Sequence, residues 1–454
     1  MEDRFFSGLL SPAFKSLRLS DGFVRSVFVL MSGTTLAMMA PVAAAPILTR
    51  LYTPHDYGVF ALYVSIVTVL SVPIGGNYDA AVMLPAKDED ALNLTAVCLA
   101  ISFLVSVVLL LGPCFFAGPI GAFFGSTRIA TWLWFVPLLG FLMGIQQAFS
   151  NWVNRKRQFR RLAASRVVEA VVSPAMSVGL GMRAWGVGGL VAGLLGGKVA
   201  AVWMLGRSVR QGKKRWGLPV RAKTMLEQAR KYRDFPLYSA PASFLDILAL
   251  QIPVLVLTRF YDSSVVGWFA LTTRVIGTPL ALIGSCVAQV YYQWIAEAGR
   301  RNADLRSYTM RVALYLTIMV SGPILIAVIF SPSVFSLVFG EQWRVAGEYA
   351  RILVFPLAIK FVVSPLSVTM PASGNIRLGS MWKIVYFSST AVVLFIAAHF
   401  QARTFLCIYG AQELVLYSLC FFLILRASAR LRPEMIGSRS RPLRGQDGSE
   451  EALP

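Results

Sequence analysis

Residues 48–62 read LTRLYTPHDYGVFAL and residues 257–271 read LTRFYDSSVVGWFAL, two ungapped copies that agree at Leu, Thr, Arg, Tyr, Gly, Phe, Ala and Leu. Each copy joins the end of one long apolar run to the start of the next, the position of a helical hairpin tip. Recurrence at so long a spacing does not describe a solenoid of short repeats. It predicts an internally duplicated chain, with one half starting near Val24 and the other near Phe235.

The apolar runs dominate the composition. Hydrophobic residues make up 56% of the chain and charged residues only 14%, and mean hydropathy is +0.64, outside the soluble globular class. The formal charge of +21 raises the question of nucleic acid. The basic residues, however, fall in short loops at every second gap between apolar runs, which is how orientation is encoded in a bilayer. Anionic headgroups are then an incidental partner and nucleic acid is not expected. Cys98, Cys114, Cys286, Cys407 and Cys420 are odd in number and scattered without CxxC spacing, and His55 and His399 are the only histidines. No disulfide framework, metal site or cofactor follows.

A hydrocarbon core of about 30 Å needs about 20 apolar residues per helix, and about twelve runs of that length are present. The all-α expectation is a polytopic membrane protein with helices near 24–48, 57–84, 90–112, 130–150, 160–182, 186–208, 235–258, 264–292, 308–330, 345–370, 377–399 and 403–425. They group as an N-lobe (23–209) and a C-lobe (235–426), two six-helix bundles around a central cavity. With the N-terminus inside, the cytoplasmic loops carry Arg155, Lys156, Arg157, Arg160 and Arg161, and then the basic linker 210–234. The opposite loops hold isolated charges such as Arg128, Arg183 and Arg403, so both termini are expected on the cytoplasmic side. The loop with Lys87, Asp88, Glu89 and Asp90 is acidic yet falls on that side.

Residues 1–22, with Phe5, Phe6, Leu9, Leu10 and Phe14 among basic residues, suit an interfacial segment. APVAAAP at 40–46 has the composition of a leader-cleavage region. A leader ending there would be unusually long, so the run is assigned to the first helix. The tail 427–454, rich in Gly, Ser, Pro and Arg, has the composition of disorder.

Several ionisable residues fall near mid-bilayer: Lys198, Asp246, Arg274, Lys360 and Glu413, with Arg166 and Glu169 nearer the cytoplasmic face. Each would cost roughly 2.5–3.5 kcal/mol at a lipid-facing helix centre. They must therefore face protein or water, which implies a polar interior of the kind that holds a transport site. Structural ion pairs are the competing reading. Arg166 and Glu169 share a helix face at i, i+3, and Asp246 could neutralise any of the three deeper cations. Those cations also sit among helix breakers: Lys198 after Gly196 and Gly197, Arg274 before Gly277 and Pro279, Lys360 between Pro356 and Pro365. Asn77 and Asp79, after Gly75 and Gly76, form a further polar cluster, either a hydrated helix end or a substrate contact. Arg50 and Arg259 in the duplicated hairpin either contact phosphate at the exit side or bond carbonyls at a helix end.

PILTRLYTPHDYGVFALYVSIVTVLSV at 46–72 with NYDAAVMLPAKDEDALNL at 77–94 resembles the opening of the bacterial polysaccharide-transporter, or oligosaccharide flippase, family. That family is grouped with multidrug/cation antiporters and the peptidoglycan-precursor flippase. The resemblance is strongest over 24–112. It implies two six-helix lobes that move undecaprenyl-diphosphate-linked sugar repeat units outward across the inner membrane for lipopolysaccharide, capsule or exopolysaccharide. Relatives often carry Glu where this chain has Asp79, which keeps the charge.

Together these features predict a monomeric flippase, with Lys198, Arg274 and Lys360 compensating diphosphate charge while the polyprenyl tail stays in membrane lipid. Asp246 or Glu413 would bind a coupling H+ or Na+, or balance charge. Polysaccharide-assembly proteins are expected partners, and the basic linker is a candidate docking point for one. A drug or cation antiporter would share the architecture but calls for a cavity dominated by acids or aromatics. A glycan polymerase or ligase would need catalytic groups, and the short external loops hold no paired carboxylates or nucleophile constellation, so no catalytic residue is assigned.

Overall fold

The computed structural model describes residues 21–124, 127–216, 220–298, 305–372 and 376–428. The expected interfacial segment and the C-terminal tail lie almost wholly outside these residues. All regular structure among them is helical. Two compact units divide the chain between Phe244 and Leu245.

The first unit holds α1 (Asp21–Leu51), α2 (Pro54–Gly75), the single turn α3 (Tyr78–Ala81), α4 (Asp88–Phe123), α5 (Thr127–Leu133), α6 (Val136–Arg155), α7 (Phe159–Gly181), α8 (Val187–Trp216) and α9 (Ala222–Lys231). After a π-helical turn at Phe235–Ser239 comes α10 (Ala240–Phe260), whose opening turn still belongs to this unit. The second unit continues with α11 (Ser263–Ala298), α12 (Leu305–Phe339), α13 (Arg344–Val363), a 3-10 stretch at Ser364–Val368, α14 (Thr369–Ala372), α15 (Ile376–Ala397) and α16 (Ala402–Ser428). Among the described residues nine helices are long and apolar enough to cross a membrane. The stretches Ala37–Leu51 and Met381–Ala397 are apolar but shorter, and α7 carries Arg160, Arg161, Arg166 and Glu169.

The duplicated hairpin explains itself in atoms. In the first copy Thr53 caps α2 through a reciprocal box with Asp56; in the second, the Asp262 carboxylate accepts from the Ser264 N–H at 2.7 Å. The shared tyrosine is the anchor. Tyr52 donates to the Ser177 carbonyl of α7 at 2.6 Å, and Tyr261 donates to Phe400 O at 2.6 Å and to Ala397 O, the last carbonyl of α15, at 3.4 Å. Each ties the first helix of its half to the fifth apolar run of that half. The correspondence extends into the next helix, where Tyr63 and Thr272 occupy the same place after the tyrosine. Tyr63 donates to Phe135 O at 3.2 Å and Thr272 to Ala346 O at 2.8 Å, both at the start of the fourth run. Arg50 and Arg259 are exposed in the last turns of α1 and α10.

Two expected helices are broken. The run 57–84 is broken, because Gly76 and Asn77 adopt φ of 55° and 53°, a left-handed pair that Gly and Asn take at least cost. The run 345–370 splits where Pro365 opens the 3-10 stretch. By contrast Gly196 and Gly197 interrupt nothing: α8 runs through them, and α11 runs through Gly277 and Pro279. In α8 the glycines serve close packing. A Cβ at Gly193 would sit 2.7 Å from Ser173 O and 2.0 Å from the Ser177 hydroxyl, and one at Gly197 2.7 Å from Ser173 Cβ and 3.1 Å from Glu169 O. With Gly189, which faces the Tyr52 hydroxyl, this is the small-xxx-small stripe that brings membrane helices into contact.

The basic linker contains α9, which docks on the first unit. Met225, Ala229, Tyr232 and Phe235 pack against Tyr78, Leu94, Val97 and Cys98. The Tyr78 hydroxyl donates to Ala229 O and the Arg221 N–H donates to the Asn93 side chain. The acidic loop is also accounted for. Asp88 pairs with Arg155 at 3.1 Å and with Lys156, while the Arg155 guanidinium reaches Met83 O and Ala86 O. Two loops expected on one side of the membrane therefore meet at one end of the bundle.

Gly193→Ala should cost about 1–3 kcal/mol by overpacking against backbone, whereas Gly179→Ala, with open space around it, should be neutral. Thermal unfolding of the detergent-solubilised variants checks this, and equal midpoints would show that α7 and α8 can move apart freely.

Candidate functional site

The first unit neutralises its buried charge. Lys198 on α8 bonds Glu169 on α7 at 2.8 Å and Gln146 on α6 at 2.8 Å, and the Gln146 amide donates back to Glu169. The three side chains close a triangle across three helices, with Lys198 and Glu169 largely withdrawn from solvent. Glu169, which shares a helix face with Arg166, bonds Lys198 of the neighbouring helix. Arg166 lies half-buried one turn earlier.

A second polar cluster stands at the broken end of α2. Asn151 of α6 donates to Asp79 O at 2.9 Å and to its carboxylate at 3.3 Å. Burial pushes the Asp79 carboxyl above the usual carboxylate range, opposed by hydrogen bonds from Gln147 and Asn151. Asn77 bridges the Ser239 and Ser243 hydroxyls at 3.1 and 2.9 Å. Asn77 and Asp79 are therefore joints between segments rather than a loose, hydrated helix end.

The second unit brings together Lys360, Glu413 and three tyrosines. Glu413 on α16 is 2% exposed and accepts from the Tyr386 hydroxyl of α15 at 2.7 Å. Lys360 on α13 lies close enough to exert its charge on Glu413, and its ammonium stands 5.7 Å above the Tyr417 ring. The Tyr417 ring packs edge-on against Tyr386, and Tyr409 packs against Phe269 of α11. Asp246, expected to serve Lys198, Arg274 or Lys360, instead pairs with Lys383 of α15 at 2.5 Å.

In front of Lys360 a cavity of about 340 Å³ opens between α11 and α13, lined on one side by Gly277, Ala281, Gly284 and Ala288 and on the other by Leu357, Lys360 and Phe361. Gly277 faces Leu357, and Gly284 faces Phe361 and Pro365, so the two helices run side by side in the same direction. Arg274, Ala281 and Ala288 recur every seven residues, which places Arg274 on the cavity face of α11, about 10 Å along the axis from Ala281. Arg274 is exposed and has no hydrogen-bond or ion-pair partner among the described residues. Of the three deep cations, Lys198 and Lys360 each sit beside a carboxylate and Arg274 does not.

A family model described as polysaccharide biosynthesis protein matches residues 47–348, about two thirds of the chain. The chain belongs to the polysaccharide biosynthesis protein family. A curated relative is the succinoglycan biosynthesis transport protein ExoT of Rhizobium meliloti (strain 1021), 23% identical over 387 residues, covering 83% of this chain and 75% of that one. Among solved structures, the lipid II flippase MurJ in an inward closed conformation superposes with a TM-score of 0.70 at 10% identity, covering 89% of this chain and 90% of MurJ. An inward-facing MATE family multidrug resistance transporter of the MOP superfamily gives 0.67 at 14% identity, covering 88% and 98%. At such identities the superpositions establish the fold: this member of the polysaccharide biosynthesis family is a multi-pass membrane protein with the architecture of MOP-superfamily transporters.

The charge rule that singles out Lys198 and Arg274 applies equally to Lys383, which lies inside the apolar run 377–399. Gln146, Gln147 and Asn151 form a polar face on α6, a signal readable from spacing. Tyr386, Tyr409 and Tyr417 gave none, since tyrosine is ordinary in apolar helices.

The Lys198–Glu169 pair predicts a compensation. Glu169→Gln alone strands a lysine inside the lobe and should lower stability by about 1–3 kcal/mol, while Glu169→Gln with Lys198→Gln should restore it. Export complementation by the double variant then tests the residue itself: full activity assigns Lys198 to structure, and loss with normal abundance assigns it to substrate.

Proposed function

We propose that the protein is a flippase that moves undecaprenyl-diphosphate-linked oligosaccharide outward across the bacterial inner membrane for a surface polysaccharide. The observation that carries this reading is the guanidinium of Arg274, on the face of α11 that continues from the Lys360 cavity and without an ion-pair partner among the described residues. A cation kept without a counter-ion among helices of membrane-crossing length and apolarity needs an anion from elsewhere. A diphosphate supplies one, and the planar fork of Arg suits two phosphate oxygens at once.

Arg274 and Lys360 would receive the diphosphate and the sugars would occupy hydrated space beside them. The prenyl tail would remain in lipid, and rocking of the two halves would switch access. Glu413, held by Tyr386 next to Lys360, is the group placed to exchange a coupling H+ or Na+. The names of ExoT, a succinoglycan biosynthesis transport protein, and MurJ, a lipid II flippase, support this reading over a drug antiporter or a polymerase. Both termini are assigned to the cytoplasm, and the meeting of the Asp88 loop with Arg155 and Lys156 supports that orientation.

Arg274→Ala at unchanged membrane abundance should reduce export by roughly ten- to a hundredfold, the loss of one charge-assisted phosphate contact. Inner-membrane vesicles, probed with a membrane-impermeant sugar-modifying reagent, should then show lipid-linked oligosaccharide accumulating on the cytoplasmic side. Normal appearance of unpolymerised intermediates on the outer side would place the protein after translocation and sink the proposal.

A further inference from the structure

Asp246 and Lys383 meet at 2.5 Å, yet 36% and 53% of their side chains are exposed. Asp246 lies near the middle of the apolar stretch Phe235–Phe260, and Lys383 is about 10 Å into α15. An ion pair open to hydrocarbon at that depth is not sustainable, so its open side faces water. A water-facing pair is weakly held, because each charge keeps much of its hydration and gains little from its partner. Lys383 is therefore a cation parked against a carboxylate that it can leave.

Its position connects it to the site already described. Lys383 and Tyr386 share a face of α15 one turn apart, and the Tyr386 hydroxyl bonds Glu413 beside Lys360. We infer that Lys383 is an anion-binding residue of the transport site, held by Asp246 as a built-in counter-ion until the substrate diphosphate displaces it. The inference rests on the flippase reading above, and it assigns Asp246 a competitive role.

A competitor and a ligand give opposite signs on substitution, whereas a structural pair gives one sign. Binding of farnesyl diphosphate to the full chain in lipid nanodiscs, with farnesol as the uncharged control, distinguishes them. Asp246→Asn should tighten binding by about two- to fivefold, and Lys383→Gln should weaken it by about tenfold or more. The double variant, which leaves no stranded charge, should bind as weakly as Lys383→Gln and keeps the test valid if that single variant folds poorly. Weakening by both single variants, with restoration in the double, would mark the pair as structural and overturn the inference. Loss of binding on Arg274→Ala with no change in either Asp246 or Lys383 variant would overturn it while leaving the flippase reading intact. Absence of farnesyl diphosphate binding to the unmodified protein would overturn both.

Discussion

A charge inside an apolar bundle is costly unless a match lies within a few ångströms, and the helix packing provides one for Lys198 and for Glu413. In the first unit the glycines of α8 let its backbone approach α7 closely, with Gly197 against the backbone of Glu169. That contact places Lys198, the next residue, within reach of the Glu169 carboxylate, and Gln146 fills the third corner. Packing and electrostatics are one device here. A bulkier residue in the glycine stripe would open the pair as well as the helices. In the second unit the match is made by side-chain length instead, with the Tyr386 hydroxyl of α15 reaching Glu413 and the Tyr417 ring of α16 lying beneath the Lys360 ammonium.

The same economy appears at the ends of helices, where carbonyls lack partners within their own helix. Tyr261 spends its hydroxyl on the last carbonyl of α15 and on Phe400 O just beyond it, Tyr52 spends its own on Ser177 O one turn before the end of α7, and the duplicated motif keeps a tyrosine–carbonyl contact in both halves. What the two copies share is the anchor and the start of the following helix. What they do not share is the arrangement of charge, since the Lys198 triangle lies in the first unit and the cavity at Lys360 in the second.

Legibility in the sequence followed physical range. Run length, basic-loop alternation and the repeat depend on nearest neighbours or on bulk solvation, and they yielded the helical membrane architecture. The left-handed pair at Gly76 and Asn77 was visible in residue type but not in the break it produces. Depth and charge found Lys198, Arg274, Lys360 and Glu413. They could not tell which of them were neutralised, because the partners, Glu169 for Lys198 and Lys383 for Asp246, come from other helices at separations that no local pattern fixes. The glycines beside Lys198 carried a signal with two meanings, helix interruption and close approach, and only the neighbouring helix decides between them.

The clasp of Asn77 on Ser239 and Ser243 bears on how the chain is made. Synthesis runs from the N-terminus, so α2, its left-handed joint and Asn77 are complete before the π-helical turn and the first residues of α10 leave the ribosome. The earlier half then offers two hydrogen bonds, together with the apolar seat for Met225, Ala229 and Phe235, to the segment that opens the later one. The start of α10 is received by a finished template.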